Sequence, residues 1–72
     1  MRTVADLAPG ESATIAYISD DAVGLKLMEM GCLPGAQVRL ARVAPLGCPL
    51  CLQVGLSLLT IRRQAAAQVL VH

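Results

Sequence analysis

The sequence predicts a mainly β fold, a small barrel of about five short strands with one short helix inserted after the first strand. Three observations predict it: apolar and polar residues alternate in several short segments, Pro and Gly residues separate these segments, and only one segment has helical periodicity. Strands this short and this closely spaced favour a barrel over an open sheet. The 72 residues are expected to form a single domain, 1–72.

The first strand and the helix have clear boundaries in the sequence. Ser12–Ile18 is rich in the β-branched and aromatic residues that favour a strand. A helix over Asp21–Met30 is predicted next, because Ser19 or Asp20 can cap its first turn. Gly31 then ends the helix, since glycine readily adopts the left-handed conformation found after helix termini.

The predicted helix has two apolar faces. Val23, Leu27 and Met30 are spaced at i, i+4 and i+7, and this stripe is expected to face the core. Leu25 and Met28 lie off the stripe. They either pack under a neighbouring turn or form an exposed apolar patch that contacts a partner, for which flexible Met side chains are suited.

The rest of the chain alternates between turns and short strands. Leu33–Ala36 has the Pro-Gly pattern of a type II turn. In the strand predicted at Leu58–Arg62, the side chains of Leu59 and Ile61 are expected to point inward. The remaining elements are three alternating strands, a helical turn and a closing strand: Gln37–Val43, Leu50–Val54, Leu58–Arg62, Gln64–Gln68 and Val69–Val71.

The composition predicts an aliphatic core with apolar surface left over. The chain has no Trp, no Phe and one Tyr, yet 56% of its residues are hydrophobic. A chain this short cannot bury all of them, and the surplus indicates a surface that contacts a partner or a second copy of the chain, so a homo-oligomer is one expectation.

The charges argue against nucleic-acid binding and against catalysis. The net charge is +1, the six basic residues are scattered, and one Tyr gives no stacking platform. No Ser-His-Asp set, paired carboxylates or phosphate loop is present, so the protein is predicted not to be an enzyme. Arg39 and Arg42 either lie on a solvated strand face or contact an acidic partner.

Location is predicted from the cysteines and the hydropathy pattern. Three cysteines, an odd number, and no visible signal peptide indicate the cytoplasm. Val43–Ile61 has no charged residue and is long enough to span a bilayer. Pro45, Pro49 and Gly55 interrupt it, however, so short strands and turns are expected there.

Two of the cysteines form the sequence Cys48-Pro49-Leu50-Cys51. Two thiolates at this spacing can share a transition metal ion such as Zn or Fe, which makes a metal carrier or sensor an alternative function. A structural zinc site uses four ligands, and only Cys32 and His72 could add to the pair. Cys32 follows the helix and is expected to pack in the core.

Three segments together resemble a known family. Lys26–Gly35 is similar to the Arg-Leu-x-x-Leu-Gly-Leu-x-Pro-Gly signature of FeoA domains. Pro45–Pro49 resembles that family's Pro-Leu-Gly-Asp-Pro, and Ile61–Val71 resembles its closing Leu-Arg, Ala and apolar strand. The residues that match are expected to be structural: Leu27, Met30, Gly31, Pro34, Gly35, Pro45, Gly47, Pro49 and Arg62.

The resemblance implies an SH3-like barrel in the bacterial cytoplasm, without catalytic residues or a cofactor. It implies an accessory, regulatory protein of ferrous iron uptake that docks onto the GTP-binding membrane iron transporter and so lies peripheral to the membrane. Lys26 and Cys48 depart from the family's Arg and Asp. The candidate partner-binding residues are Leu25, Met28, Leu46, Arg39 and Arg42.

Overall fold

Five antiparallel strands form one sheet in the spatial order β4-β3-β2-β1-β5. The structure, a computed structural model, describes residues 1–72. The strands are β1 (Ser12–Ile18), β2 (Gln37–Val43), β3 (Leu50–Val54), β4 (Ser57–Ile61) and β5 (Val69–Val71). The helices are α1 (Asp21–Glu29) and α2 (Arg63–Ala66), and short 3-10 turns lie at Val4–Asp6 and Pro45–Gly47.

The sheet curls around an aliphatic core. Register shifts next to Ala16 in β1 and Ala41 in β2 mark bulges, which bend strands and increase their twist. All five strands contribute buried side chains, and the predicted mainly β fold with a helix after the first strand is confirmed. The core residues are Val4, Leu7, Ile15, Leu27, Cys32, Val38, Leu40, Leu50, Leu52, Ile61, Ala66, Val69 and Val71.

Helix α1 is well capped but lightly packed. Asp20 Oδ1 accepts a hydrogen bond from the Val23 amide at 3.0 Å, and Gly31 adopts the predicted positive φ of 85°. Leu27 is the only fully buried side chain of the helix. The prediction that Met30 faces the core is wrong, because the helix ends at Glu29 and Met30 remains 42% exposed.

The connections between the later elements differ slightly from the predicted boundaries. Gly55 has φ 60° and starts a two-residue hairpin loop of type II′, so β4 begins at Ser57 and ends before Arg62. Helix α2 likewise begins one residue earlier than predicted, at Arg63. The uncharged Val43–Ile61 segment forms strands and turns, as expected. No helix in the structure has the length and apolar character needed to cross a membrane.

The N-terminal segment covers the outer edge of β5. Thr3 bridges to Leu70, and the Val71 amide donates to the Arg2 carbonyl at 2.9 Å. Val4 is fully buried behind this contact. Arg63 ties the segment to the neighbouring turn, because its guanidinium donates to the carbonyls of Ala5 at 3.0 Å and of Gly47 at 2.9 Å.

Candidate docking groove

A groove of about 790 Å³ separates helix α1 from the end of strand β4 and the start of α2. Its floor is mainly apolar, and Leu27 and Ile61 connect it to the core. The lining residues are Ala22, Val23, Lys26, Leu27, Met30, Cys48, Pro49, Thr60, Ile61, Arg62 and Ala65.

The groove brings together the three segments that carry the family resemblance. Lys26–Gly35 contributes one wall, Pro45–Pro49 contributes Cys48 and Pro49, and Ile61–Val71 contributes the opposite wall. Several residues predicted to be purely structural therefore line an accessible surface. Sequence reasoning missed the groove itself, although three separated motifs in one small chain were the signal that could have indicated it.

The backbone around Cys48 is fixed by the start of α2. The Arg63 amide donates to Cys48 Sγ at 3.4 Å, and the Arg63 guanidinium donates to the Gly47 carbonyl beside it. The Ala44 amide donates to the Pro49 carbonyl at 3.1 Å, which closes the turn. These hydrogen bonds give this side of the groove a defined shape. The Cys48–Pro49 peptide bond is cis.

The groove carries positive charge. Lys26 on α1 and Arg62 after β4 are the charged residues of its lining, and neither forms a salt bridge. The one salt bridge of the protein joins Arg2 to Glu11. None of the five acidic residues lines the groove. The side chains that could contact a ligand there are thus two cations, the Thr60 hydroxyl, the Cys48 thiol and an apolar floor.

Leu46 projects from the turn that precedes this wall. Its φ is 73°, a left-handed conformation that disfavours a leucine, and its side chain is fully exposed. The turn is closed by a hydrogen bond from the Gly47 amide to the Ala44 carbonyl at 2.9 Å. A strained backbone that displays an apolar side chain is typical of a functional position.

The other candidate partner-binding residues lie outside the groove. Leu25 and Met28 are 58% and 50% exposed on the outer side of α1. Arg39 and Arg42 are three positions apart, a spacing that would place them on opposite faces of a regular strand. The bulge at Ala41 shifts the alternation by one residue, so both lie on the outer face of β2. The five candidates therefore occupy the outer side of α1, the Leu46 turn and the outer face of β2.

The three cysteines have different surroundings. Cys32 is buried, as predicted, and burial raises the pKa of its thiol. Cys48 lines the groove, whereas Cys51 lies on the outer face of β3 opposite Arg42 and Thr60. No cluster of three or more His, Cys, Asp or Glu side chains is suited to hold a metal ion. The residues present do not form a four-ligand zinc site, and a metal role for Cys48 and Cys51 stays a prediction.

The family model of the FeoA domain matches residues 2–72. The chain belongs to the FeoA family. This family is linked to ferrous iron transport. A search of curated protein sequences gives no significant match.

Solved structures of FeoA proteins have the same fold. FeoA from Chlorobium tepidum is 33% identical with a TM-score of 0.92, and the match covers 99% of this chain and 69% of that one. Iron(II) transport protein A from Clostridium thermocellum is 31% identical with a TM-score of 0.89, covering 97% and 44%.

A third solved FeoA structure is described by the name of its fold, the SH3 domain. FeoA from Stenotrophomonas maltophilia, solved with zinc and described as a prokaryotic SH3 domain protein, is 31% identical with a TM-score of 0.87. The match covers 100% of this chain and 91% of that one. The predicted SH3-like barrel is therefore confirmed.

Proposed function

We propose that the chain is a non-catalytic accessory protein of bacterial ferrous iron uptake, which acts in the cytoplasm by docking onto the GTP-binding membrane iron transporter. It would thus lie at the membrane through its partner. Family membership supports the link to iron transport. The docking role is an inference from the surface.

The observation that carries the proposal is the open groove built from the three family motifs. Of its lining residues, Leu27 and Ile61 alone belong to the buried core cluster. The other lining residues lie outside that cluster and converge with them on an accessible, largely apolar surface. Concave apolar surfaces with a few charged groups are typical of binding sites.

The groove's chemistry favours binding over catalysis. Its lining offers no carboxylate and no imidazole, the groups that most often act as general acid or base. Leu46, two residues before the lining residue Cys48, adds a fully exposed apolar side chain. Exposed apolar surface of this kind is a feature of protein interfaces.

The proposal is tested by titrating the chain into the isolated cytoplasmic domain of the transporter by calorimetry. We expect saturable binding with an affinity on the order of micromolar. Leu46→Ala should weaken binding, whereas Leu56→Ala should not, although both leucines are fully exposed. No binding at high micromolar concentration would contradict the proposal.

A further inference from the structure

Strand β4 is an unprotected sheet edge. It pairs with β3 alone, and its sequence, Ser57-Leu58-Leu59-Thr60-Ile61, has no charge, no proline and no glycine. Proteins usually shield such edges with charges, prolines, bulges or covering segments, because an open apolar edge recruits other strands. No strand of this chain pairs with the outer side of β4, and Leu58 is 66% exposed.

The backbone groups that face away from β3 belong to alternate residues. In a two-residue hairpin the pair next to the loop, here Val54 and Ser57, is hydrogen-bonded, and bonded and non-bonded pairs then alternate. Leu58 and Thr60 fall in the non-bonded pairs, so their amides and carbonyls point outward. Neither residue takes part in the backbone hydrogen bonds made outside the regular elements.

The open edge runs into the groove. Thr60, Ile61 and the adjoining Arg62 form its β4 wall, with Lys26 on the facing helix. A strand added to β4 would therefore pass between two cations over an apolar floor. Because no acidic residue lines the groove, the complementary ligand carries negative charge.

We propose that an extended acidic segment of a partner protein pairs with the outer edge of β4 as a sixth strand, with its carboxylates beside Lys26 and Arg62. This inference rests on the proposed docking function and names the chemistry of the docked segment. Main-chain hydrogen bonds to Leu58 and Thr60 supply the pairing, and the two cations select the charge. A second copy of the chain is a poor occupant, because β4 has no acid and would bring another Arg62 to a positive groove.

The direct test uses a capped eight-residue peptide of alternating Val and Glu as the probe, followed by nuclear magnetic resonance of the amide signals. We expect the Leu58 and Thr60 amides to shift and their hydrogen exchange to slow. Lys26→Glu and Arg62→Glu should each weaken binding about five- to tenfold, while Gln37→Glu, a new acid at an exposed position of β2 outside the groove, leaves it unchanged.

Three further probes make the pairing falsifiable. A Val-Lys peptide should not bind, and a Val-Glu peptide with methylated backbone nitrogens on its pairing edge should not bind either, since it lacks the donors. Raising the salt concentration should weaken binding of the Val-Glu peptide, because salt screens the attraction between its carboxylates and the two cations. Failure of the Val-Glu peptide to shift Leu58 and Thr60, or equal binding by the methylated peptide, would overturn the inference.

The same variants separate this inference from the docking function. If the transporter's cytoplasmic domain binds, and Lys26→Glu and Arg62→Glu weaken its binding while Gln37→Glu does not, both stand. If the domain binds equally to all variants and leaves the Leu58 and Thr60 amides in fast exchange, the edge inference fails and the docking function survives. If the domain does not bind but the peptide does, the docking function fails and the edge remains a peptide site. Circular dichroism of each variant checks that it is folded.

Discussion

One edge strand of the sheet, β5, is covered by another part of the chain, whereas the opposite edge strand, β4, is open. At β5, the N-terminal segment lies along the strand, Val71 donates to the Arg2 carbonyl, and Val4 is fully buried. At β4, the outward backbone groups have no partner and Leu58 is exposed. Both edges belong to one continuous sheet, so the difference comes from what the chain places beside each strand.

This difference indicates a division between folding and binding. Polar bonds of the chain concentrate near the covered edge: Arg2 pairs with Glu11, and Arg63 reaches Ala5. Near the open edge, Lys26 and Arg62 form no salt bridge. Changes near β5 should therefore affect stability, and changes near β4 should affect partner binding.

The largest effect is expected when a core side chain behind the covered edge is truncated. Val4→Ala removes two methyl groups from a fully buried position and should lower the free energy of unfolding by about 2 kcal/mol. Leu58→Ala on the open edge should change it by less than about 0.5 kcal/mol. Urea unfolding measures both, and equal losses would remove the proposed distinction.

Two adjacent arginines provide the next comparison. Arg63→Ala breaks hydrogen bonds to the Ala5 and Gly47 carbonyls and should cost about 1 kcal/mol of unfolding free energy. Arg62→Ala breaks no hydrogen bond and should leave stability nearly unchanged, yet it should weaken binding of the acidic peptide. A thermal melt and a peptide titration of each variant test this, and the reverse pattern would contradict it.

A smaller effect, and one of opposite sign, is expected when Leu46 is replaced: the protein should become slightly more stable. Leu46→Asn places at φ 73° a residue that tolerates the left-handed region, and should raise the unfolding free energy by about 0.5 kcal/mol. Leu56→Asn, in a loop where that residue has negative φ, should not. If Leu46→Asn instead destabilises the protein, the turn is not strained; if binding is unaffected, Leu46 does not contact the transporter.

The loss of stability at acid pH should come largely from the Arg2–Glu11 salt bridge near the covered edge of the sheet. The bidentate Arg2 hydrogen bond, with a second bond from the Ala8 amide, lowers the pKa of Glu11 to about 2. A pKa lower in the folded state gives stability that is present above the ordinary glutamate value of about 4.3 and lost as the pH falls towards 2. Glu11→Gln should flatten the melting temperature across that range. An unchanged acid profile would show that this pair contributes little.

The order of the elements could be predicted from the sequence because it depends on local patterns. Alternation located β2 and β3, and Asp20 and Gly31 marked the limits of α1. Met30 was misplaced because the helix ends at Glu29, one residue earlier than the Gly31 signal suggested, and Met30 leaves the helical stripe. The 3-10 turn at Val4–Asp6 was missed, although Thr3 and Asp6 form a capping box that the sequence displays.

The groove could be predicted only in part. Most of its lining residues lie in three motifs that the sequence reveals, but their meeting depends on how α1 packs beside the end of β4, which is distant in the sequence. Single-residue reasoning favoured exposed apolar and basic residues such as Leu25 and Arg39. It did not place Lys26 among the candidates, although Lys26 lines the groove together with Arg62.

The most direct measurement is amide hydrogen exchange of the chain when it is saturated with the transporter's cytoplasmic domain. Val71, already bonded to Arg2, should exchange slowly in the free protein and remain so. Leu58 and Thr60 should exchange quickly when free and become protected in the complex. A saturated complex in which both β4 amides still exchange as fast as in the free chain would contradict the assignment of the open edge to partner binding.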